Sequence, residues 1–553
     1  MSSVVLVPTA KLVPPELIAE FGEVPSCMLP IQGRSALHHV ARQWMKLGFE
    51  LVALAHDGVE LVRGETLSLG PDVSVIDVGA TRSLGETVLA GLGELDASAA
   101  QLAINFGDTF VGDLPAAADC ACVAKTVDQY RWTVGRLAAD GALEVVDKDE
   151  HKLGDGWAAF VGVFRFSQPG TFRGLLAARV SAHQRGQLDP FFLALVDYYD
   201  AVGRPSGFLA HVADWRDMGH IDTYYRSRRA FGSGARHFND IEVDTARGIV
   251  TKRSADAPRL IDEISWYLRL PQQLMHVAPR VFDYSQDPER PFVEMEFYSY
   301  PPLNELYLYG ACDIGAWARI LDAVGTTLAQ MGQVQFLPVR PEDAVAARRK
   351  MYLDKTRERL ERVRSAEHLQ AFWQPQVQIN GEVCPGLPAV LDGLEGRLAR
   401  AGVLGAEPLS VIHGDFCMSN ILYDRRNAII RVIDPRGRFG DLRGFGDPLY
   451  DAAKLSHSFL GSYDLLVAGQ FTLESSADGI RLQPHLRDPQ RAIQELFRKK
   501  LSEWRPGAWQ KVRLVESLLF LSMVPLHSDR PASQQAFLAH GLRLYHSLDD
   551  GEG

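Results

Sequence analysis

Cysteine is scarce in this chain: Cys27, Cys120, Cys122, Cys312, Cys384 and Cys417 are scattered over 553 residues, and only Cys120 and Cys122 lie close together. That spacing is unlike a disulfide framework or a zinc site, and it fits a reducing, cytoplasmic setting. Positive charge is also short. The 58 Lys and Arg against 69 Asp and Glu leave a net charge of -11, which opposes attraction to phosphate backbones and anionic membranes and makes nucleic acid and lipid poor partners. Long hydrophobic runs are missing as well. The longest apolar stretch, Leu518 to Leu526, carries Ser522 and Pro525 and falls well short of the roughly 20 residues a membrane span needs. The amino terminus, MSSVVLVPTAKLVPP, has no basic segment followed by a long apolar run and a small-residue cleavage site, so it reads as a first buried strand rather than a secretory signal.

What is present is the composition of a folded protein: 46% hydrophobic, 23% charged and 9% aromatic residues. The length is several times the commonest domain size and calls for two or more compact units. From Val4 to about Phe231, short apolar runs (VVLVP, FELVALA, SVIDVG, QLAINFG, AFVGVFRF) alternate with amphipathic stretches such as SALHHVARQWMKLG. This alternation predicts an α/β sandwich with a mainly parallel sheet. Arg228 to Arg236, RRAFGSGAR, is basic and glycine-rich and suits a boundary, giving domains at 1–230 and 231–548. In the second, HFNDIEV and GIVTKRS flank DTARG as a hairpin would, PRLIDEISWYLRLP has the pattern of an amphipathic helix, and FVEMEFYSY supplies another strand. Beyond Asp313 the pattern is mostly helical, with ARRKMYLDKTRERLERV a highly charged helix and VRLVESLLFLSMV a buried one. A small β-rich lobe at about 235–310 and a larger helical lobe at about 311–548 follow.

The most informative stretch is VIHGDFCMSNILYDRRNAIIRVIDPRG, where two strand-like runs bracket polar residues at fixed offsets. His413-Gly414-Asp415, with Asn420 five residues after the Asp, resembles the catalytic loop of the kinase superfamily. The resemblance implies that Asp415 positions the acceptor hydroxyl, that Asn420 holds Mg²⁺, and that Asp434 is the second metal-binding Asp. Phosphoryl transfer needs these types: a carboxylate to take the hydroxyl proton and hard oxygen ligands for the Mg²⁺ that bridges the phosphates of ATP. Upstream, Lys252 ends an alternating strand and Glu263 lies eleven residues later on the following helix, an arrangement resembling the phosphate-binding Lys and its ion-pair partner. HGD in place of HRD, IDPRG in place of DFG, and the GDPxxD pattern of Phe445 to Asp451 make the match one to the aminoglycoside phosphotransferase and choline kinase-like branch, in which the last segment is expected to brace the catalytic loop. His413 reads as a hydrogen-bonding residue that stiffens the loop. No clear glycine-rich phosphate loop precedes Lys252; residues 232–240, GSGARHFND, are a loose candidate. Lys454 and His457, three apart in YDAAKLSHS, are candidates for the acceptor pocket or ordinary helix residues, and Trp373, Tyr450 and Tyr463 are aromatic candidates for its walls.

The first domain resembles the sugar-phosphate nucleotidyltransferases, a glycosyltransferase-A-like fold. VPSCMLPIQGRSALHHVARQW is similar to the family segment leading into its first helix, and AFVGVFRF to one of its strands. The resemblance places Asp108, in NFGDTF, and Asp217, in DWRDMGHIDTYY, as metal-binding carboxylates, since nucleotidyl transfer needs a metal to neutralise charge on the α-phosphate. It places Lys148, in VVDKDE, against the sugar phosphate. The departures fall at the triphosphate loop. Where the family has Gly-x-Gly-Thr-Arg this chain reads VPTAKLV, with Pro8 removing a donor, Lys11 standing near the missing Arg, and Ser26 replacing the lysine of the usual Pro-Lys pair.

Together these features predict an ATP- and Mg²⁺-dependent kinase acting on a hydroxyl of a small molecule, a sugar or amino alcohol bound for cell-surface polysaccharide, with a degenerate nucleotidyltransferase-like domain that binds a sugar-like ligand or braces the kinase. The alternatives are a bifunctional kinase and nucleotidyltransferase, and a non-catalytic scaffold or ligand sensor. Neither the acceptor nor the oligomeric state, homo-oligomer or monomer, is fixed by the sequence.

Overall fold

A computed structural model describes residues 3–95, 100–126, 128–148, 156–184, 186–231, 239–244, 246–335, 339–476 and 478–548. The chain divides into two compact units, residues 1–232 with 309–311, and residues 233–308 with 312–553.

The first unit is built on a nine-stranded sheet. β1 (Ser3–Pro8) buries Val4 through Val7 in succession, the continuous apolar run a strand covered on both faces requires. Ser35 caps α1 (Ala36–Lys46) by accepting from His38 N at 3.0 Å, and Leu37, Val40, Ala41 and Trp44 form its inward stripe. There follow β2 (Phe49–Ala55), β3 (Val73–Asp77), α2 (Leu84–Glu94), β4 (Gln101–Asn105), β5 (Thr109–Val111), β6 (Cys120–Ala124), β7 (Val134–Leu137), β8 (Leu143–Val146), β9 (Ala158–Phe166), α3 (Pro169–Ala182), α4 (Pro190–Ala201), β10 (Leu209–His211), β11 (Trp215–Asp217) and α5 (Ile221–Ala230).

The strand order β8-β7-β9-β4-β1-β2-β3, with β6 joined to β9 and β10 to β6, makes the sheet mixed rather than mainly parallel. Only the β4-β1-β2-β3 core and the β10-β6 edge run parallel; β9 is antiparallel to β4, β6 and β7. The physical reason lies in the connections, because the short link from β7 to β8 permits only an antiparallel pair. β9 shifts register between Phe160 and Phe164, around Gly162 at φ 87°, where a side chain would collide with the Phe106 ring. Phe164, Phe166, Phe172, Phe191 and Tyr198 fill the core beneath, with the Phe166 and Phe172 rings stacked 3.9 Å apart.

The second unit has two lobes. Its small lobe is an antiparallel sheet in the order β12 (Asn239–Asp244), β13 (Ile249–Ser254), β15 (Phe292–Glu296) and β14 (Val281–Ser285), with α6 (Ala257–Arg269) following β13. The β12–β13 hairpin and the amphipathic α6 fall where the patterning predicts them. Most of the glycine-rich candidate loop, 232–238, lies outside the described residues.

The large lobe contains α7 (Ile314–Gln333), α8 (Pro341–Arg348), α9 (Lys355–Glu361), the hairpin β16 (Ile421–Asp424) and β17 (Ile429–Val432), α10 (Pro448–Phe459), α11 (Trp509–Met523) and α12 (Pro531–Ser547). A π turn at Arg349–Asp354 joins α8 directly to α9, so the charged helix expected there is present with its phase altered in the middle. α11 is the buried helix its apolar run predicts.

Candidate active site

In the second unit, three chain segments bring one cation and two carboxylates together. Antiparallel pairing of β13 between β12 and β15 turns Lys252 inward to 5% exposure, and α6 presents Glu263, 3% exposed, to meet it. Lys252 Nζ donates to Glu263 Oε1 at 3.0 Å and Oε2 at 2.8 Å, and to Asp434 Oδ1 at 2.8 Å. Burial by itself would discharge the ammonium, but Asp434 and Glu263 outweigh it and raise Lys252 above its ordinary value; burial pushes Glu263 up to about 7 against the pull of Lys252. Removing one member of such a buried set leaves an uncompensated charge and costs about 3–5 kcal/mol. Asp434 sits at φ 56°, a left-handed conformation in which its backbone N–H donates to Tyr267 Oη at 3.2 Å. Strain of this kind persists where the surroundings over-determine it.

The catalytic-loop candidates are held from below. Asp451, on α10, accepts from His413 N at 2.7 Å and Gly414 N at 2.8 Å, which is the brace that the GDPxxD pattern implies. Gly414 has φ 76°, and a Cβ there would lie 2.8 Å from Arg436 Cβ, so the position requires glycine. The His413 ring, fully buried and pushed down to about 4 by burial, is neutral. It donates at Nε2 to Ile433 O at 3.0 Å and accepts at Nδ1 from Asp415 N at 3.3 Å, tying the loop to the end of β17.

Asp415 projects from that loop. Asn420 Nδ2 donates to its backbone O at 2.9 Å and to Oδ2 at 3.2 Å, and Lys454 Nζ lies 2.9 Å from Oδ1. Burial would raise the carboxyl, but the Lys454 ammonium outweighs burial and holds it well below the usual carboxylate range. Asp415 is therefore an ionised, hydrogen-bond-accepting group suited to orienting a hydroxyl. The register Ile421 opposite Val432 and the bond from Ile433 N to Asn420 O at 3.0 Å place Asn420 beside the strand that leads into Asp434. Among the described residues Asp434 Oδ2 accepts no hydrogen bond, and Asn420 Oδ1 receives only a long 3.4 Å contact from Ser419 Oγ. These hard oxygens fit Mg²⁺, which takes one or two protein ligands and completes its shell with phosphates and water.

The acidic pair of the first unit has a different setting. β11 pairs with β5 so that Asp217 lies opposite Thr109, and Met218 N donates to Asp108 O at 2.8 Å. A Cβ on Gly219 would fall 2.8 Å from Asp108 Oδ2 and 3.5 Å from Asp217 Oδ1, so both carboxylates face the same small space. Burial, with the charge of Asp217, pushes Asp108 up to about 6. Asp217 is further engaged by Thr223 Oγ1 and by His220 Nδ1 at 3.3 Å. Lys148, exposed after β8, is close enough for its charge to act on Asp108. Two donors are lost from the loop that the resemblance assigns to a triphosphate: Pro8 has no N–H and Thr9 N donates to Leu54 O at 2.8 Å, while Lys11 is exposed.

Residues 228–474 match the model of the phosphotransferase enzyme family. The second unit is a phosphotransferase domain. Its reaction class is phosphoryl transfer. None of the curated proteins compared matches the chain. Among solved structures, the CTP:phosphocholine cytidylyltransferase of Streptococcus pneumoniae is similar at 8% identity over 42% of this chain and 100% of that one, with a TM-score of 0.32. An ADP-bound aminoglycoside phosphotransferase is similar at 14% identity over 56% of this chain and 92% of that one, TM-score 0.35. A second aminoglycoside phosphotransferase, in ternary complex with streptomycin and ATP, is similar at 17% identity over 52% and 82%, TM-score 0.33. At these scores the likenesses assign neither substrate nor activity.

Not every candidate residue of the phosphotransferase domain reaches its site. His457 is fully buried: its ring stacks on Tyr463 at 4.2 Å, lies 4.4 Å from Phe520, and places Nε2 3.3 Å from Met523 Sδ. A three-residue step turns a helix by about 300°, enough to aim Lys454 at Asp415 and His457 into the core. Tyr463 belongs to the same packing, and Trp373 lies under the Arg364 guanidinium at 5.2 Å. Tyr450 does stand near the loop, its Oη accepting from Arg436 Nη1 at 3.4 Å and Lys355 Nζ at 3.3 Å. Sequence reasoning missed Arg348 and Tyr352, which flank and enter the π turn and both bond Asp447 Oδ2, at 2.9 and 3.0 Å. The charged run there looks solvated, and only the apolar phase of Met351, Leu353 and Leu360 hints otherwise.

Proposed function

We propose that the second unit is an ATP-dependent kinase that phosphorylates a hydroxyl of a small molecule. Asp415 orients the acceptor hydroxyl and takes its proton as the oxygen–phosphorus bond forms and the bond to the ADP oxygen breaks. Because Lys454 keeps Asp415 weakly basic, that proton moves late, in keeping with a reaction in which positioning does most of the work. Lys252 binds the phosphates and Glu263 fixes Lys252. Asn420 and Asp434 would hold the Mg²⁺ that neutralises charge on the transferring group. The observation that carries this reading is the Lys252 ammonium joining Glu263 to Asp434 in the unit where Asn420 engages Asp415.

For the acceptor we propose a sugar or amino alcohol destined for an activated precursor of cell-surface polysaccharide, supported by the presence in one chain of a domain resembling sugar-phosphate nucleotidyltransferases. A cytoplasmic setting is supported by six free, buried cysteines; among the described residues no helix is long and apolar enough to cross a membrane. The test is incubation of the wild type and Asp415→Ala with Mg²⁺, γ-labelled ATP and a pool of sugars, amino sugars and amino alcohols. Label in product with wild type alone supports the reading, and equal labelling with both proteins refutes it.

For the first unit we propose a sugar-ligand or bracing role. The bifunctional alternative is favoured by one observation, that Asp108 and Asp217 face a common space as a metal pair would. Pyrophosphate release from CTP, UTP or GTP, lost in Asp108→Ala, would establish it.

A further inference from the structure

Around Asp415 the charge balance is strongly positive. α9 places Lys355 and Arg359 four residues apart on one face. Lys355 Nζ and Arg436 Nη1 both donate to Tyr450 Oη, at 3.3 and 3.4 Å, so the two cations lie within about 7 Å of each other, a repulsive contact in a partly desolvated setting. Arg359 donates from Nη1 to Ser522 O at 3.1 Å, a carbonyl that leaves its charge unpaired. Among the described residues none of Lys355, Arg359 and Arg436 has a carboxylate at ion-pair distance. Of the acids around the cluster, Asp415 pairs with Lys454, Asp447 with Arg348 and the exposed Glu358 with Arg362, while burial pushes Asp464, near Lys454, up to about 7. Burial, then Arg436, Arg359 and Lys454, push the Lys355 ammonium well below its ordinary value, with Asp415 opposing them. Crowded cations without counter-charge are expensive to hold together in the absence of a ligand.

The geometry points to an acceptor that carries an anionic group, a phosphate monoester or a carboxylate, bound by Lys355, Arg359 and Arg436 while its hydroxyl meets Asp415. This rests on the kinase reading above and sharpens it. A guanidinium fork and an ammonium converging on one place are the groups that recognise such anions. A cationic amino alcohol or polyamine sugar would add to a positive field instead of relieving it. The cluster is assigned to the acceptor rather than to the nucleotide because Lys355 lies within reach of the charge of Asp415, whereas Lys252, the proposed phosphate-binding group, is closed into its own set with Glu263 and Asp434.

Two measurements test this. First, the melting temperature of the full chain, saturated with Mg²⁺ and a non-hydrolysable ATP analogue, is followed against inorganic phosphate, acetate and a chloride control, for wild type, Arg436→Gln, Arg436→Lys and Lys355→Met. Stabilisation of wild type beyond the chloride control, lost in Arg436→Gln and Lys355→Met and partly restored in Arg436→Lys, is the expected result. No anion-specific stabilisation of wild type overturns the proposal. If the ATP analogue itself fails to stabilise wild type, the kinase reading falls instead. Second, label transfer is compared between neutral sugars, their phosphate monoesters, uronic acids and amino alcohols. The anionic acceptors are expected to be preferred, with the better of the phosphate and carboxylate arms naming the group, and Arg436→Gln is expected to raise their KM about 10-fold or more while the KM for ATP stays unchanged. Equal use of neutral or cationic acceptors, or a rise confined to the KM for ATP, overturns the proposal.

Discussion

Each unit of this chain sets acidic residues at a candidate metal site, yet the two sites differ in what surrounds the acids. In the phosphotransferase domain Asp434 is bound to Lys252 and Asp415 to Lys454, and both acids stand on a braced loop or strand end. In the first unit Asp108 and Asp217 chiefly meet each other, with Thr223 and His220 on Asp217 and the exposed Lys148 acting only through its charge. The lesson concerns function more than fold. A pair of carboxylates can hold a metal, but turning over a triphosphate also needs donors that receive the phosphates. On the proposed reading unit two supplies such a donor in Lys252, whereas unit one has Thr9 N committed to Leu54 and proline at position 8.

The largest expected effect breaks the comparison on its strong side. Asp415→Ala should lower phosphoryl transfer by about 10²- to 10⁴-fold, roughly 3–5 kcal/mol of barrier, while Mg-ATP still raises the melting temperature. Retained turnover would remove Asp415 from the mechanism. Next, Lys252→Met should destabilise the second unit by about 3–5 kcal/mol in denaturant titration, since Glu263 is left buried without its cation. A loss of ATP affinity with no loss of stability would mean that Glu263 finds another partner.

A smaller effect separates the units by acid. Burial holds His457 well below its ordinary value, so its folded state binds a proton less readily than its unfolded state. The associated stability is complete above the unfolded value near 6.5 and is lost as pH falls below it. Between pH 7 and pH 5 this amounts to about 2 kcal/mol, and His457→Phe should flatten that part of the second unit's unfolding curve. An unchanged pH dependence in the variant would place the acid sensitivity elsewhere. The smallest effect lies on the weak side of the comparison: Asp108→Ala should leave label transfer within about twofold of wild type, since Asp108 belongs to the other compact unit and, among the described residues, shares no partner with the residues proposed for phosphoryl transfer.

Much of the candidate site's layout was legible because the residues proposed for it occupy short segments with fixed offsets: Asp415 and Asn420 in one loop, Asp434 at the end of the next strand, Lys252 and Glu263 on a strand and the helix after it. Local strand and helix periodicity is enough to place such residues. The cation cluster was not legible. Lys355 and Arg359 sit in a run whose charge density reads as a solvated face, Arg436 comes from a segment far along the chain, and only the π turn before α9 and the tertiary packing bring them to Tyr450. His457 misled for a related reason, since spacing fixes a helix face only to within about one residue's rotation. In the first unit the alternation of apolar runs located the strands, but direction is set by connection length, so the antiparallel half of the sheet escaped the pattern.

The most direct measurement runs both reactions side by side: transfer of label from γ-labelled ATP to acceptor, and pyrophosphate release from CTP, UTP and GTP, for wild type, Asp415→Ala and Asp108→Ala. The account predicts label transfer by wild type and Asp108→Ala, none by Asp415→Ala, and no pyrophosphate from any of the three. Label transfer that survives Asp415→Ala, or pyrophosphate release that disappears with Asp108→Ala, would contradict it.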